Sequence, residues 1–307
     1  MKPLTLKSPA KLNLFLRVLN KRKDNYHNID TVFERIDLSD KIVLKPRRDN
    51  KINIISRSKD IPKDGSNLAS KSAEALRRRF NISRGVDIKI TKRIPVGAGL
   101  GGGSSNAAAV LLGLNRLWSL GLSRIRLARI AKDIGSDVPF FIYDTTFAQG
   151  RGRGESISAL NSLKKVRLWH VLVVPRVKVS TPMVYKNWDK IKKDHQRAFK
   201  LDPEGQRERL TKAKYGVNIL SLGLKNKDLS LVSRGLFNNL EQATIGLYPQ
   251  VRKIKETLKK MGAQAVLMSG SGPAVFDIVY SKKEAIFFSR QIRRKNRSWQ
   301  IFVTRTA

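Results

Sequence analysis

The chain has 307 residues, 62 of them Lys or Arg against 24 Asp or Glu, for a formal net charge of +38, with 41% hydrophobic residues, three histidines and no cysteine. Such a length and composition suits one or two domains around a buried core and argues against native disorder. The missing cysteines exclude disulfides, thiolate zinc sites, iron–sulfur clusters and thiol nucleophiles.

Residues 4–60 read as β-rich. From Ala10 to Leu19 the alternation puts Leu12, Leu14, Leu16 and Val18 on one strand face and Lys11, Asn13, Phe15 and Arg17 on the other, so Lys11 and Asn13 point the same way. Further strand-like runs span 31–38, 41–44 and 52–55. Asp64-Gly65-Ser66-Asn67 then turns the chain into a helix whose Leu68, Ala69, Ala73, Leu76 and Phe80 recur at helical spacing. Val86 to Ile94 alternates as a half-buried strand and leads into a glycine-rich stretch. Beyond it, 105–120 reads as a helix with Ala107, Leu111, Leu114 and Trp118 on one stripe. Ser123 suits the N-cap of the next helix, which Gly135 ends. Strands are expected within 146–157 and 168–175, and Thr181-Pro182 reads as an N-cap followed by proline at the first helical position. From Lys186 to Arg234 the pattern is one of Lys/Arg-rich amphipathic helices. A helix over 250–261 and strands over 265–267 and 274–280 close an α+β unit. No segment approaches the roughly eighteen apolar residues of a membrane span, and the start of the chain has no apolar run, so a cytoplasmic protein without a membrane partner is expected.

The strongest local signal is Pro95-Val96-Gly97-Ala98-Gly99-Leu100-Gly101-Gly102-Gly103-Ser104-Ser105-Asn106, with five glycines in seven positions between a strand and an Ala-rich helix. A bland turn needs one or two glycines. Loop amides and the positive end of the following helix can receive phosphate oxygens, with Ser104 and Ser105 adding hydroxyls, so polyphosphate is the natural ligand. The P-loop pattern fails because Ser104, not lysine, follows Gly103. The dinucleotide fingerprint fits formally at Gly97, Gly99 and Gly102, but 117–127 holds no carboxylate for a ribose.

Read with Ser8-Pro9-Ala10-Lys11-Leu12-Asn13-Leu14 before it and Leu267-Met268-Ser269-Gly270-Ser271-Gly272-Pro273 after it, this stretch resembles the second of the three ordered motifs of the GHMP kinases. Tyr26-His27, Gly135-Ser136-Asp137-Val138-Pro139 and Ser180-Thr181-Pro182 are similar to the branch of that family that phosphorylates the 2-hydroxyl of a cytidylylated methylerythritol in non-mevalonate isoprenoid synthesis. Where the family usually has glycine before the Tyr-His pair, this chain has Asn25, which tolerates positive φ. The resemblance implies an α+β, two-domain fold: a ribosomal-S5-like N-terminal domain over 1–175 and an α+β C-terminal domain over 176–307. It implies ATP as phosphate donor with Mg²⁺, and a small-molecule cytidylyl substrate. Lys11 and Asp137 carry over as the catalytic pair, Asp137 accepting the proton of the attacking hydroxyl and Lys11 steadying the developing alkoxide. Without the motif, Asp137 reads equally as an N-cap and Lys11 as a solvated edge residue. Pro95 to Ser105 carry over as the ATP-phosphate loop, Asn67 as an adenine contact, Tyr26, His27 and Tyr185 as the cytidine pocket, and Asn13 and Thr181 as contacts to the methylerythritol diphosphate. No metal ligand is assigned; Ser105 is a candidate without a second carboxylate.

A rival within the family is a homoserine or mevalonate kinase, which would leave Tyr26, His27 and Tyr185 without a base to stack on. The charge allows a second rival reading, as an RNA-binding protein. Lys186, Lys190, Lys192, Lys193, Arg197 and Lys200 are dense, with Trp188 and Phe199 between them, but no base-reading motif accompanies them. Non-specific nucleic-acid binding by a solvated face is the expectation.

Overall fold

The alternation read from Ala10 extends in both directions into β1 (Leu4–Lys21), which returns antiparallel as β2 (His27–Pro46). The computed structural model describes residues 2–198 and 216–307. Asn25 makes the turn between the two strands at φ 64°, a left-handed conformation that asparagine tolerates. The ladder slips between Asn13 and Phe15. Leu12, Leu14 and Phe15 therefore pack into one core while Leu16 and Val18 join another, so a bulge divides the single apolar face expected from the alternation. Nor is the opposite face wet: Lys11 and Asn13 are both buried.

The chain continues through β3 (Ile52–Ile55), α1 (Leu68–Arg79), β4 (Val86–Thr91), α2 (Gly102–Leu117), α3 (Arg124–Ile134), α4 (Val138–Ile142), β5 (Phe147–Gly152) and β6 (Ser156–Ala159). Strand β2 is the hub of the first sheet, pairing with β1 along its length, with β4 through 41–46 and with β5 through 29–34. α1 and α2 cover it, Ala107, Val110, Leu111 and Leu114 packing with Ile42, Leu44, Ile88 and Ile90 in one apolar cluster. Ser123 caps α3 as expected, its hydroxyl accepting from the Arg126 amide. α2 starts at Gly102 rather than Ser105, which brings the last glycines of the motif into its first turn.

After β7 (Trp169–Val174) come α5 (Thr181–Ala198), α6 (216–226), α7 (Leu229–Gly235), β8 (Phe237–Asn238), α8 (Leu240–Leu247), α9 (Gln250–Lys260), β9 (Val266–Met268), β10 (Val275–Val279), α10 (Lys282–Lys295) and β11 (Gln300–Arg305). The second sheet runs β11-β7-β10-β9, antiparallel throughout. Two strands interlock the halves. β7 precedes the boundary expected at 175/176 yet lies in the second sheet, and β8 pairs parallel with β1 at Phe15 and Leu16 in the first. Across the junction, the buried Glu34 of β2 receives both the His170 ring, at 2.9 Å, and the Thr306 hydroxyl, at 2.8 Å. At the start of α5, the Val184 amide bonds the carbonyl of Ser180. Ser180 rather than Thr181 is therefore the capping residue, and Thr181 is already helical.

Candidate active site

One cavity of about 1030 Å³ opens where the two halves meet. Its floor is the glycine loop, which emerges from β4 and ends on the N-terminus of α2. Gly101, at φ 67°, is the residue from which the helix departs, and the Ser105 amide bonds its carbonyl at 2.8 Å. Gly99 sits at φ 74°, where a Cβ would lie 2.2 Å from the Ser269 carbonyl oxygen; only glycine lets the third motif close on the second at that point. The closure is hydrogen-bonded. Ser269 Oγ donates to the Gly99 carbonyl at 3.1 Å and accepts from the Asn13 amide at 3.2 Å, while the Lys11 amide donates to the Leu100 carbonyl at 3.0 Å. Asn238, which the sequence reading did not single out, holds the third motif from behind, its Nδ2 donating to the Met268 and Gly270 carbonyls at 2.7 and 2.8 Å.

Lys11 and Asp137 come together from separate segments. Lys11 Nζ lies 3.5 Å from Asp137 Oδ2, with the lysine side chain 5% exposed and the aspartate 31%. The ammonium also donates to Asn13 Oδ1 and stands 5.2 Å from the centre of the Phe33 ring. Asn13 Nδ2 in turn donates to Thr31 Oγ1 at 2.8 Å, and Thr31 to the Phe15 carbonyl at 2.6 Å. Lys11 is thus fixed by a chain of side-chain bonds reaching across β1 and β2, and the solvated-edge alternative for it is overturned. Asp137 stands at the N-cap position of α4, but its carboxylate makes no capping bond. A carboxylate free of helix duty, beside a buried ammonium and open to a cavity, can accept a proton from a bound hydroxyl.

At the other end stand the rings. The imidazole of His27 and the phenol of Tyr185 stack with centroids 5.0 Å apart at 23°, and His27 Nε2 lies 2.7 Å from Asp189 Oδ1. Burial, with the charge of Asp137 adding to it, pushes the Tyr185 phenol well above its ordinary pKa, so this hydroxyl stays a donor. Tyr26 is 54% exposed, and the guanidinium of Arg153 sits 5.1 Å from its ring centre. Thr181 Oγ1 meets Ser271 Oγ at 2.8 Å, tying α5 to the third motif.

Lys11, Asn13, Tyr26, His27, Asn67, Asp137, Thr181, Tyr185 and the run from Pro95 to Ser104 all line this cavity. Ser105 does not. It is buried with its Oγ 2.8 Å from the Ser8 hydroxyl, which lies 2.7 Å from Asn106 Oδ1, so the Ser105 hydroxyl is turned into the protein. Asn67 caps α1, accepting from the Ala69 amide at 2.9 Å and donating to the Pro62 carbonyl at 2.7 Å. Sequence reading passed over Asp189, Arg153, Lys21 and Lys92, which also line the cavity. Lys92 pairs with the buried Asp40, whose Oδ1 accepts from the Arg93 and Ile94 amides at 2.7 and 2.9 Å; its place just before the glycine motif was the available signal. Among the described residues no group of three His, Asp or Glu side chains could hold a metal ion, and no helix is long and apolar enough to cross a membrane.

Models of the GHMP kinases N terminal domain and of the GHMP kinases C terminal match residues 67–145 and 221–298. The class is therefore that of the GHMP kinases, small-molecule kinases that use ATP. A homoserine kinase from Cytophaga hutchinsonii, 19% identical, shares the fold at a TM-score of 0.74 over 99% of this chain and 94% of its own. The chain is 42% identical over 282 residues to a 4-diphosphocytidyl-2-C-methyl-D-erythritol kinase from Brevibacillus brevis, covering 92% of this chain and 89% of that one. A kinase of the same name from a Geobacillus species is 44% identical over 90% and 88% of the two chains. A crystal structure of a 4-(cytidine 5'-diphospho)-2C-methyl-D-erythritol kinase superposes at a TM-score of 0.75 with 28% identity, over 99% of this chain and 100% of that one. Within the class, the chain belongs to the family of the 4-diphosphocytidyl-2-C-methyl-D-erythritol kinases.

Proposed function

We propose that this protein transfers the γ-phosphate of ATP to the 2-hydroxyl of 4-diphosphocytidyl-2-C-methyl-D-erythritol, the substrate that its relatives' names carry. The observation that carries this reading is one cavity lined by the glycine cradle, by the rings of Tyr26, His27 and Tyr185, and by the Lys11–Asp137 ion pair. Lys11 packs against Gly101 of the cradle, and the charge of Asp137 reaches the phenol of Tyr185. ATP phosphates laid on the N-terminus of α2 meet amides and the positive end of the helix. The cytosine ring lies against Tyr185 and His27, with Tyr26 as a further stacking face.

In the transfer, Asp137 takes the proton of the 2-hydroxyl as its oxygen bonds to the γ-phosphorus, and the bond from that phosphorus to the bridging oxygen breaks to release ADP. Lys11 offsets charge on the attacking and transferred oxygens. Magnesium entering with ATP would be held chiefly by phosphate oxygens and water, as that ion prefers, with Ser104 the cavity side chain suited to it; it would supply charge neutralisation on the phosphates. Mevalonate and homoserine carry no flat base, so the ring end of the cavity would serve neither. A phosphotransfer assay comparing the cytidylyl substrate with both is the test. The cytidylyl compound alone is expected to be turned over efficiently, and a comparable kcat/KM on mevalonate or homoserine would refute the assignment.

A further inference from the structure

Asp189 lies on α5 one helical turn beyond Tyr185, and the two residues grip the same imidazole in different ways. Tyr185 covers the face of His27, while Asp189 Oδ1 meets its Nε2 at 2.7 Å. Residues four apart on a helix share a face, so a single turn of α5 supplies both contacts. The His27 side chain is 6% exposed and has little room to choose another partner. The second carboxylate oxygen is also engaged, Oδ2 lying 3.4 Å from Lys21 Nζ. Lys21 is the register partner of His27 across the β1–β2 hairpin, so hairpin and helix hold the carboxylate from two sides. Lys190 is exposed, whereas Lys192 Nζ donates to the Leu19 carbonyl at 3.2 Å and keeps this turn of helix against the same hairpin.

We propose that Asp189 is a positioning residue for base recognition: it holds the proton of the ring of the cavity-lining His27 on Nε2 and leaves Nδ1 as an acceptor for an N–H of the nucleotide base. The inference rests on the proposed function, in which the ring end of the cavity takes the cytidylyl group. A neutral imidazole has one donor and one acceptor nitrogen, and a carboxylate beside one of them settles which is which. An acceptor in that position complements the exocyclic amine of cytosine. Without the carboxylate, the ring can present either a donor or an acceptor and can pivot about its own axis. Lys21, by occupying Oδ2, keeps Oδ1 for the ring.

The test measures calorimetric binding of CDP, and separately of a non-hydrolysable ATP analogue, to the full-length protein. Asp189→Asn keeps the shape of the side chain but accepts either imidazole tautomer, and His27→Phe keeps a ring for Tyr185 while removing both nitrogens. Asp189→Asn is expected to weaken CDP about tenfold, the scale of one hydrogen bond involving a charged group, with the ATP analogue bound as before. In steady-state assays the loss falls in the KM for the cytidylyl substrate. In the His27→Phe background, adding Asp189→Asn changes CDP affinity no further, because its route to the base is already cut. Unchanged CDP affinity in Asp189→Asn overturns the inference, as does a tenfold loss that persists in the His27→Phe background. Should the unaltered protein bind the ATP analogue but not CDP, the proposed function falls and takes this inference with it; CDP binding that ignores Asp189 sinks the inference alone.

Discussion

Lys11 and Asp137 differ in exposure, 5% against 31% for their side chains, and the difference fits the separate roles proposed for them. The ammonium is locked among Asn13, Phe33 and Asp137, whereas the carboxylate keeps a free edge toward the cavity. Asp137→Asn leaves the volume unchanged and removes the proton acceptor, so turnover should fall by about 10²-fold or more with the melting temperature nearly unchanged. Lys11→Met should lose a similar factor, but through charge on the transferred oxygens. Near-native kcat in a folded Asp137→Asn protein would remove the general base from the mechanism. The tyrosines also part company. Tyr185 supports the buried His27 ring, whereas Tyr26 is more than half exposed. Tyr185→Ala should therefore raise the KM for the cytidylyl substrate more than Tyr26→Ala does, and neither should move the KM for ATP; the reverse order in steady-state kinetics would mean that Tyr26 carries the base. These residue types were legible in the sequence because their chemistry is tied to short motifs. Asp189 was not, because its meaning depends on the imidazole of His27, 162 positions away, which no local pattern reveals.

At the scale of elements, the glycine loop is where sequence and structure agree in kind and differ in position. Five clustered glycines announced a close backbone approach, yet the approach at Gly99 is to the Ser269 carbonyl of the third motif, a contact within the protein. Gly97 offers a control, with φ 68° and nothing within 4 Å of an added Cβ. Gly97→Ala should cost only the left-handed backbone term, about 1–2 kcal/mol. Gly99→Ala adds a clash between backbone groups and should separate the motifs, lowering the melting temperature further and weakening ATP binding; equal melting temperatures for the two variants would show that the loop can yield. Elsewhere, legibility followed the width of the apolar stripe. α1, α2 and α3 were readable because small or apolar residues line their buried faces. α10 went unread, since only Ala285, Ser289 and Ile292 are buried along a helix rich in Lys and Arg. Its signal was the cap: Ser281 accepts from the Glu284 amide, the Ser-x-x-Glu spacing of a helix start. The split face of β1 was illegible for a different reason. Alternation describes a strand, not what covers it, and Asp137 and Gly270, which stand against the buried Lys11, arrive more than a hundred residues later in the chain.

For the molecule as a whole, two electrostatic terms act on stability and association. One is local in origin. Burial, with Glu284 adding to it, pushes the Asp277 carboxyl of β10 up to about 7, against the lowering pull of the Ala265 amide and His170. The folded protein then binds this proton more tightly than the unfolded chain, so its contribution is present at low pH and is lost as pH rises from about 4 to about 7. Asp277→Asn can still accept from the Ala265 amide and needs no proton. Denaturant unfolding should find it more stable than the unaltered protein at pH 8, by an amount on the order of 4 kcal/mol, with the gap closing toward pH 4; a gap independent of pH would assign the effect to packing. The other term is the excess of 38 positive charges, far more than ATP and a cytidylyl diphosphate could employ. Part of the basic run from 186 already has work within the fold: Lys186 lines the cavity, and Lys192 bonds the Leu19 carbonyl. Trp188 packs against the core of the second sheet rather than standing out as a stacking platform. Lys193, Arg197, Phe199 and Lys200 lie outside the residues whose side chains are described. We infer a solvated basic surface, without a base-reading site among the described residues, which binds any nucleic acid by releasing counterions. Affinity for unrelated RNA sequences should agree within error at low salt and fall steeply, and equally for all of them, between 50 and 200 mM. Kinase activity should survive nuclease treatment. A single RNA held far more tightly than its scrambled controls at physiological salt would show that the charge serves recognition, because counterion release cannot distinguish one sequence from another.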